Sequence, residues 1–202
     1  MAPIFDAAKD EAMRVAAAEG LFPVPPFHRE LVRGVATYGL EFLRAAPRLD
    51  TVYVPIGCGS GICGVIAARD ALGLATEVVG VVAAGAAGAK LSFEAGRVIE
   101  TPSARSFADG MAVRVPVAGA LAIYRAGAAR ILAVDEDEIA AAARLYFTAI
   151  HNVAEGAGAA ALAGLLQERA RVAGRRVGLI LSGGNIDAGA FATILEGRTP
   201  GV

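Results

Sequence analysis

Residues 54–65 read VPIGCGSGICGV, and how this stretch folds decides the rest of the chain. Just upstream, TVYVPI (51–56) is a short apolar run with the length and β-branched content of a buried strand. Downstream, small and apolar residues from 61 to about 73 read as a helix. Between the two lie Gly57, Gly59 and Gly61, with Gly64 one turn later. A strand that passes into a helix through glycines lets main-chain N–H groups approach an anion closely. The helix N-terminus adds unpaired donors and partial positive charge. The stretch therefore reads as an anion-binding turn, and its neighbours must say which anion.

Working outward, EVVGVVA (77–83), ARILAV (129–134) and RVGLIL (176–181) are three more apolar strand candidates. Helices are expected over 4–20, ending at Gly20, and over 28–45, running to the break at Pro47. Further helices are expected over 86–95, over 135–150 with its acidic first turn, and over 155–172. LFPVPPF (21–27) reads as an extended segment, 97–120 as irregular, and SGGNID (182–187) as the loop after the fourth strand. Near-continuously apolar strands alternating with helices predict an α/β fold, a mostly parallel open sheet with helices on both faces. Ligands of such sheets sit at the carboxyl ends of the strands. Two loops qualify, 57–61 and 182–187.

Composition narrows the function classes. A chain of 202 residues suits one α/β domain, or one with an appendage. Basic and acidic residues number 19 and 20, for a net charge of −1, and no like-charge block stands out. Nucleic acid and membrane surfaces are therefore poor partners. No apolar run approaches the roughly 18 residues of a membrane span, and MAPIFDAAKDEAMRV carries acids early without a signal-peptide core. A cytoplasmic location is expected. Cys58 and Cys63 read as small packing residues in a reducing compartment, ahead of a disulfide or a metal site. Lys9 and Lys90 are the chain's two lysines.

Several anions compete for the glycine turn. A P-loop needs Gly-Lys-Ser/Thr at the end of the turn, and no lysine lies there. Gly59, Gly61 and Gly64 fit the dinucleotide spacing, but the next strand ends in Val82-Ala83-Ala84, where a ribose-binding acid is wanted. A lone phosphate monoester held by backbone amides remains, beside a plain packing turn with no ligand. The second loop favours the monoester. Ser182 can hydrogen-bond without bringing charge, and Gly183 and Gly184 leave room beside a flat ring. A neutral hydroxyl next to a pyridine nitrogen need not protonate it, which makes the ring a weaker electron sink. That suits chemistry in which a β-leaving group departs early.

Taken together and in order, VPIGCGSGICG, FADGMAVRVP (107–116), HNVAEGAGAAALAGLL (151–166) and LSGGNID (181–187) resemble the pyridoxal-phosphate-dependent serine/threonine dehydratases, of the tryptophan synthase β-subunit fold type. The resemblance runs from about residue 4 to the end. It implies an incomplete fold-type II large domain over 46–202, with 1–45 as a remnant of the small domain. It implies pyridoxal 5′-phosphate as cofactor, its phosphate on the backbone of Gly57, Cys58, Gly59, Ser60 and Gly61. Cys58 and Ser60 depart from an all-glycine loop, which backbone donation tolerates if neither needs a positive φ. The family's serine at the pyridine nitrogen falls on Ser182. Its glutamate near the ring falls on Glu155, for which a charge at a helix N-terminus is the plainer alternative. Asp109 is expected as a turn residue near the site.

Two departures qualify the resemblance. The carboxylates that hold a divalent cation in some relatives fall on Val82 and Ala87, so no such metal site is expected. The family's catalytic lysine motif, S-x-K-x-R-G-A, is absent. Lys9 and Lys90 match no such position, and Lys90 is expected to face solvent. The implied activity is deamination of L-threonine or L-serine to a 2-oxo acid and ammonia, with the lysine supplied from elsewhere. The implied partners are a small amino-acid substrate and either a missing N-terminal segment or a second copy of the chain. The alternatives are a non-catalytic remnant or interaction partner of a complete paralogue and, further off, a dinucleotide-binding domain.

Overall fold

The four apolar runs pair into one parallel sheet. The computed structural model describes residues 5–202. Its strands are β1 (Thr51–Pro55), β2 (Glu77–Ala83), β3 (Arg130–Val134) and β4 (Val177–Leu179), in the spatial order β3-β2-β1-β4. Val52 of β1 stands opposite Val78 of β2, and Tyr53 opposite Leu179 of β4. β4 is shorter than the run 176–181 that announces it. Ile180 N–H still reaches Tyr53 O at 3.0 Å, after which the chain leaves the ladder.

Eight helices accompany the sheet among the described residues: α1 (Phe5–Glu19), α2 (Arg29–Ala45), α3 (Ser60–Ala71), α4 (Gly88–Ala95), α5 (Ala118–Gly127), α6 (Glu136–Ile150), α7 (Gly156–Gln167) and α8 (Ala188–Leu195). Side chains alternate across the strands. Val52 and Val54 face a core built with Ile62, Val65 and Tyr124 of α3 and α5. Tyr53, Val79 and Val81 face the other core, with Ile139, Ala143 and Ala160 of α6 and α7. Helices thus cover both faces, as the unbroken apolar strands predict.

α2 lies against α3 through missing side chains. A Cβ on Gly64 would stand 3.0 Å from Ala36 N and Val35 Cγ1, and one on Gly39 would stand 3.2 Å from Ala68 Cβ. The fourth glycine of the opening stretch therefore serves helix packing. α6 starts with a full capping box. Asp135 accepts from Glu138 N–H, and Glu138 accepts from Asp135 N–H, each at 2.8 Å.

Position 4 of the first expected helix lies outside the described residues. Two helices escape the sequence reading. α5 begins inside the stretch read as irregular, and α8 follows the last loop. Both are short and rich in alanine and glycine. α5 buries Ala120, Leu121 and Tyr124, but small residues on every side blur that stripe. Val117 caps it without a side-chain bond, so no start signal is written in the sequence. α7 ends at Gln167, five residues before the expected 172. Among the described residues no helix is long and apolar enough to cross a membrane.

α6 ends at His151, the described non-glycine residue with positive φ, at 56°. His151→Gly should relieve left-handed strain and raise stability by roughly 0.5–1 kcal/mol after the entropy of a flexible glycine is subtracted. A chemical denaturation midpoint that moves up supports this. A midpoint that falls would mean that the edge contact of His151 with Phe147, at 6.2 Å between rings, outweighs the strain.

Candidate functional site

The sheet order creates one crevice. From β1 the chain moves to β2 on one side, and after β3 and two helices it returns as β4 on the other side. Loops leaving β1 and β4 therefore diverge at their carboxyl ends, the topological switch point where open α/β sheets take ligands. Ile56 and Ser182 each lie three residues beyond the Tyr53–Leu179 pair, just past the ends of neighbouring strands. A cavity of about 810 Å³ opens there, lined by Gly57–Gly61 and Ser182 together, with Tyr38, Gly110 and Ala157 among its other walls.

The glycine turn is tight for identifiable reasons. Gly59 is the N-cap of α3 at φ 96°, ψ 1°, and a Cβ there would fall 2.7 Å from Ala120 Cβ. A Cβ on Gly57 would fall 2.2 Å from Gly110 O, main chain against main chain. Cys58 and Ser60 both have negative φ, so neither substitution strains the loop. Cys63 N–H donates to Gly59 O at 3.1 Å and opens the helical ladder. The N–H groups of Gly57, Gly59, Ser60 and Gly61 make no hydrogen bond among the described residues. Four donors left over at one helix N-terminus on a cavity wall are groups that can accept an anion.

Two side chains brace this turn. The Tyr38 hydroxyl on α2 donates to Gly61 O at 3.3 Å. Burial pushes its pKa up to about 12, so it remains a donor at any physiological pH. The Cys63 thiol is fully buried, donates to Ala120 O at 3.6 Å, and is likewise pushed up to about 12 by burial. It is a packing residue, whereas Cys58 lines the cavity.

The second loop, 182–187, closes onto the start of α7. Ser182 is exposed to the cavity, and its hydroxyl makes no hydrogen bond among the described residues. Gly183 and Gly184 each have a close neighbour on the side where a side chain would project. A Cβ on Gly183 would stand 2.5 Å from Glu155 Oε1, and one on Gly184 would stand 2.6 Å from Val153 O. Their missing side chains let the loop close onto residues 153–158. Glu155 stands at the N-cap of α7 without capping it. Its carboxylate Oε2 accepts from Asn185 N–H at 3.0 Å. It is not among the residues that line the cavity. Asp109 opens a one-turn 3-10 helix (Asp109–Met111) and accepts from Gly110 N–H at 2.8 Å.

Neither lysine lines the cavity. Lys9 lies on α1, and Lys90 on α4 is ion-paired with Glu94 and half-buried rather than free in solvent. The sequence reading missed Tyr38 and Gly110 as walls. Val35, Tyr38 and Phe42 all line the cavity at helical spacing on α2, a stripe indistinguishable in sequence from ordinary core. Gly110 stood in a motif already singled out, but only the 2.2 Å approach explains it.

Residues 3–183 match the family of pyridoxal-phosphate dependent enzymes. The chain is similar to a phenylserine dehydratase of Ralstonia pickettii, 38% identical over 185 residues, which cover 91% of this chain and 57% of that protein. It is similar to an L-threonine ammonia-lyase of Geobacter sulfurreducens, 34% identical over 193 residues, or 95% of this chain and 48% of the other. The processed form of threonine deaminase isoform 2 from Solanum lycopersicum superposes with a TM-score of 0.89 at 28% identity, over 96% of this chain and 57% of that one. The chain spans about half the length of these relatives.

Proposed function

This chain belongs to the pyridoxal-phosphate-dependent enzymes, and from that premise we propose that it is the cofactor-holding part of an ammonia-lyase acting on L-threonine or L-serine. The observation that carries the reading is the shared cavity, with the cradle 57–61 on one wall and Ser182 on the other. The residues fit the cofactor. Gly57, Gly59, Ser60 and Gly61 offer unbonded N–H groups to a phosphate dianion, with Cys58 in the same turn, and the α3 N-terminus favours negative charge. Ser182 offers a neutral hydroxyl where a ring nitrogen would lie.

Pyridoxal phosphate, when bound, supplies the electron sink for loss of an α-proton and a β-hydroxyl. The chain's own residues bind and orient. The cradle anchors one end, Tyr38 holds the first turn of α3 in place, and Ser182 leaves the ring nitrogen without a carboxylate partner. Glu155 backs the Ser182 loop. Residues 46–202, taken as the large domain, carry most of this site, and α2 from the segment 1–45, taken with the small domain, adds Tyr38 to its wall.

Proton transfer at the α-carbon needs an amine positioned over the site, and neither Lys9 nor Lys90 lines it. We therefore assign the amine to a lysine-bearing partner segment. The same observation favours a second reading, a non-catalytic chain that associates with a complete relative.

Purified 202-residue chain, titrated with pyridoxal phosphate, should show saturable binding, no covalent adduct after borohydride reduction, and no 2-oxobutyrate from threonine. Adding a separately expressed lysine-bearing N-terminal segment of a threonine ammonia-lyase should restore product. A reduced adduct on Lys9 or Lys90 with steady turnover would overturn the partner-segment reading. A chain that stays inert with every added segment would favour the non-catalytic one.

A further inference from the structure

Glu155 holds the Ser182 loop by two links that straddle Gly184. Its N–H donates to Gly183 O at 3.1 Å, and its carboxylate Oε2 accepts from Asn185 N–H at 3.0 Å. Its other oxygen packs on Gly183 so closely that a Cβ there would stand at 2.5 Å. The carboxylate stands at a helix N-terminus yet caps nothing in its own helix, so its hydrogen-bonding capacity goes to the loop. Ser182 needs such support. The last ladder bond of β4 is made by Ile180, and the Ser182 hydroxyl has no hydrogen bond of its own among the described residues. Its position is set by the backbone on either side.

The same helical turn also backs the opposite wall. A Cβ on Gly110 would lie 3.1 Å from Ala157 Cβ, one on Gly156 would lie 2.7 Å from Ala108 Cα, and one on Gly158 would lie 2.3 Å from Gly183 O. Residues 155–158 are thus a common back wall for segments 108–110 and 182–185, with Glu155 as its polar member.

We propose that Glu155 is a positioning residue: its carboxylate latches the Asn185 amide and so fixes the Ser182 hydroxyl at the ring-nitrogen end of the cavity, without itself touching the ligand. The significance for the ring rests on the function proposed above, but the latch does not. A latch needs an oxygen acceptor at the right reach, and its charge is secondary. Glutamine keeps acceptor and reach. Aspartate keeps the charge but withdraws by one methylene.

Three variants of the full chain, Glu155→Gln, Glu155→Asp and Glu155→Ala, separate these roles. Amide exchange at Asn185 should accelerate about tenfold in E155A and E155D and stay near wild type in E155Q, the fold-change of one lost hydrogen bond. The dissociation constant for pyridoxal phosphate should rise roughly three- to tenfold in the same two variants. That for inorganic phosphate, which engages only the cradle, should not move. If E155A does not fold, the aspartate and glutamine pair still decides. Unchanged Asn185 exchange in E155D, or E155Q behaving like E155D, would overturn the latch. A wild-type chain that binds phosphate but not pyridoxal phosphate would sink the proposed function and leave the exchange result to judge Glu155 alone.

Discussion

A Gly57→Ala protein should lose its anion site and part of its stability together. The new methyl, fixed rigidly to the main chain, would fall 2.2 Å from Gly110 O, itself a main-chain atom. No rotamer can relieve that contact, so one loop must move by about an ångström or more. Gly110 cannot retreat freely, because it faces Ala157 on α7 and its N–H is tied to Asp109. The turn 57–61 must give instead, and the proposed anion cradle is distorted with it. Overpacking of this kind costs about 1–3 kcal/mol, and phosphate affinity should fall more than tenfold. Gly34→Ala on α2 is the control, since nothing stands within 4 Å of its added carbon. It should be neutral or stabilising by up to about 1 kcal/mol through helix propensity. Thermal midpoints and phosphate titrations of both proteins check the pair. A G57A chain that binds phosphate like wild type would dismiss the cradle.

The second large effect lies away from the cavity. Glu168, just past α7, accepts two bonds from Arg130, Nε to Oε1 at 2.8 Å and Nη2 to Oε2 at 2.6 Å. It also accepts from the Tyr53 hydroxyl at 2.7 Å, while Arg130 reaches Glu77 at 3.1 Å. One cluster thereby ties β1, β2 and β3 to the end of α7. Glu168→Ala leaves a guanidinium 17% exposed with Glu77 as its remaining partner in this cluster, and takes the acceptor from a fully buried tyrosine. Breaking such a pair from one side costs about 3 kcal/mol, or roughly 6–12 °C in Tm for a domain of this size.

The cluster also sets a pH window. Burial raises the Glu168 carboxyl, but the Arg130 and Tyr53 hydrogen bonds lower it further, so it sits below the usual carboxylate range. Its contribution is complete above the ordinary carboxylate pKa and is lost as pH falls through the depressed value. Tyr53 behaves oppositely. Burial, then Glu168, pushes it up to about 12. Its contribution is complete below the ordinary tyrosine pKa, about 10, and is lost as pH rises toward 12. The gap in denaturation midpoint between wild type and Glu168→Gln should therefore be widest between about pH 5 and 10 and narrow on both sides. A gap that stays constant from pH 3 to pH 7 would contradict the ionic account.

What the sequence reveals here follows from what each residue has to do. The strands are legible because Val and Ile must fill both faces of a covered parallel sheet, and the two ligand loops follow from where such strands end. α5 and α8 are not, because helices that pack through alanine and glycine carry little contrast between faces. The glycines divide the same way. Gly57 and Gly59 announce a turn, whereas Gly183 and Gly184 announce only closeness, and which neighbour comes close is a tertiary fact. Glu155 shows the limit most plainly. At a helix start it reads as a cap or a ligand contact, but its partner amide lies 30 residues on, in another loop. The physical reading alone left more than one anion open. The ordered set of four motifs supplied the cofactor.

The strand order also governs when this site can exist. Gly57 and Ser182 are 125 positions apart in the chain, and the strand that brings them together is the last of the four described, three residues long and, among the described residues, bonded to β1 alone. At ordinary elongation rates the ribosome needs roughly 6–25 s to travel from one to the other. Through that interval the turn after β1 is already synthesised, yet it has no opposite wall. A ligand held as proposed cannot act as an early folding template here, because its Ser182-side contacts have not emerged. Closing the site means closing the longest loop in the sheet, a slow, late step for a topology of distant pairings. A ligand that engages both proposed walls binds the finished sheet, so its occupancy would stabilise the whole parallel array and not the turn alone.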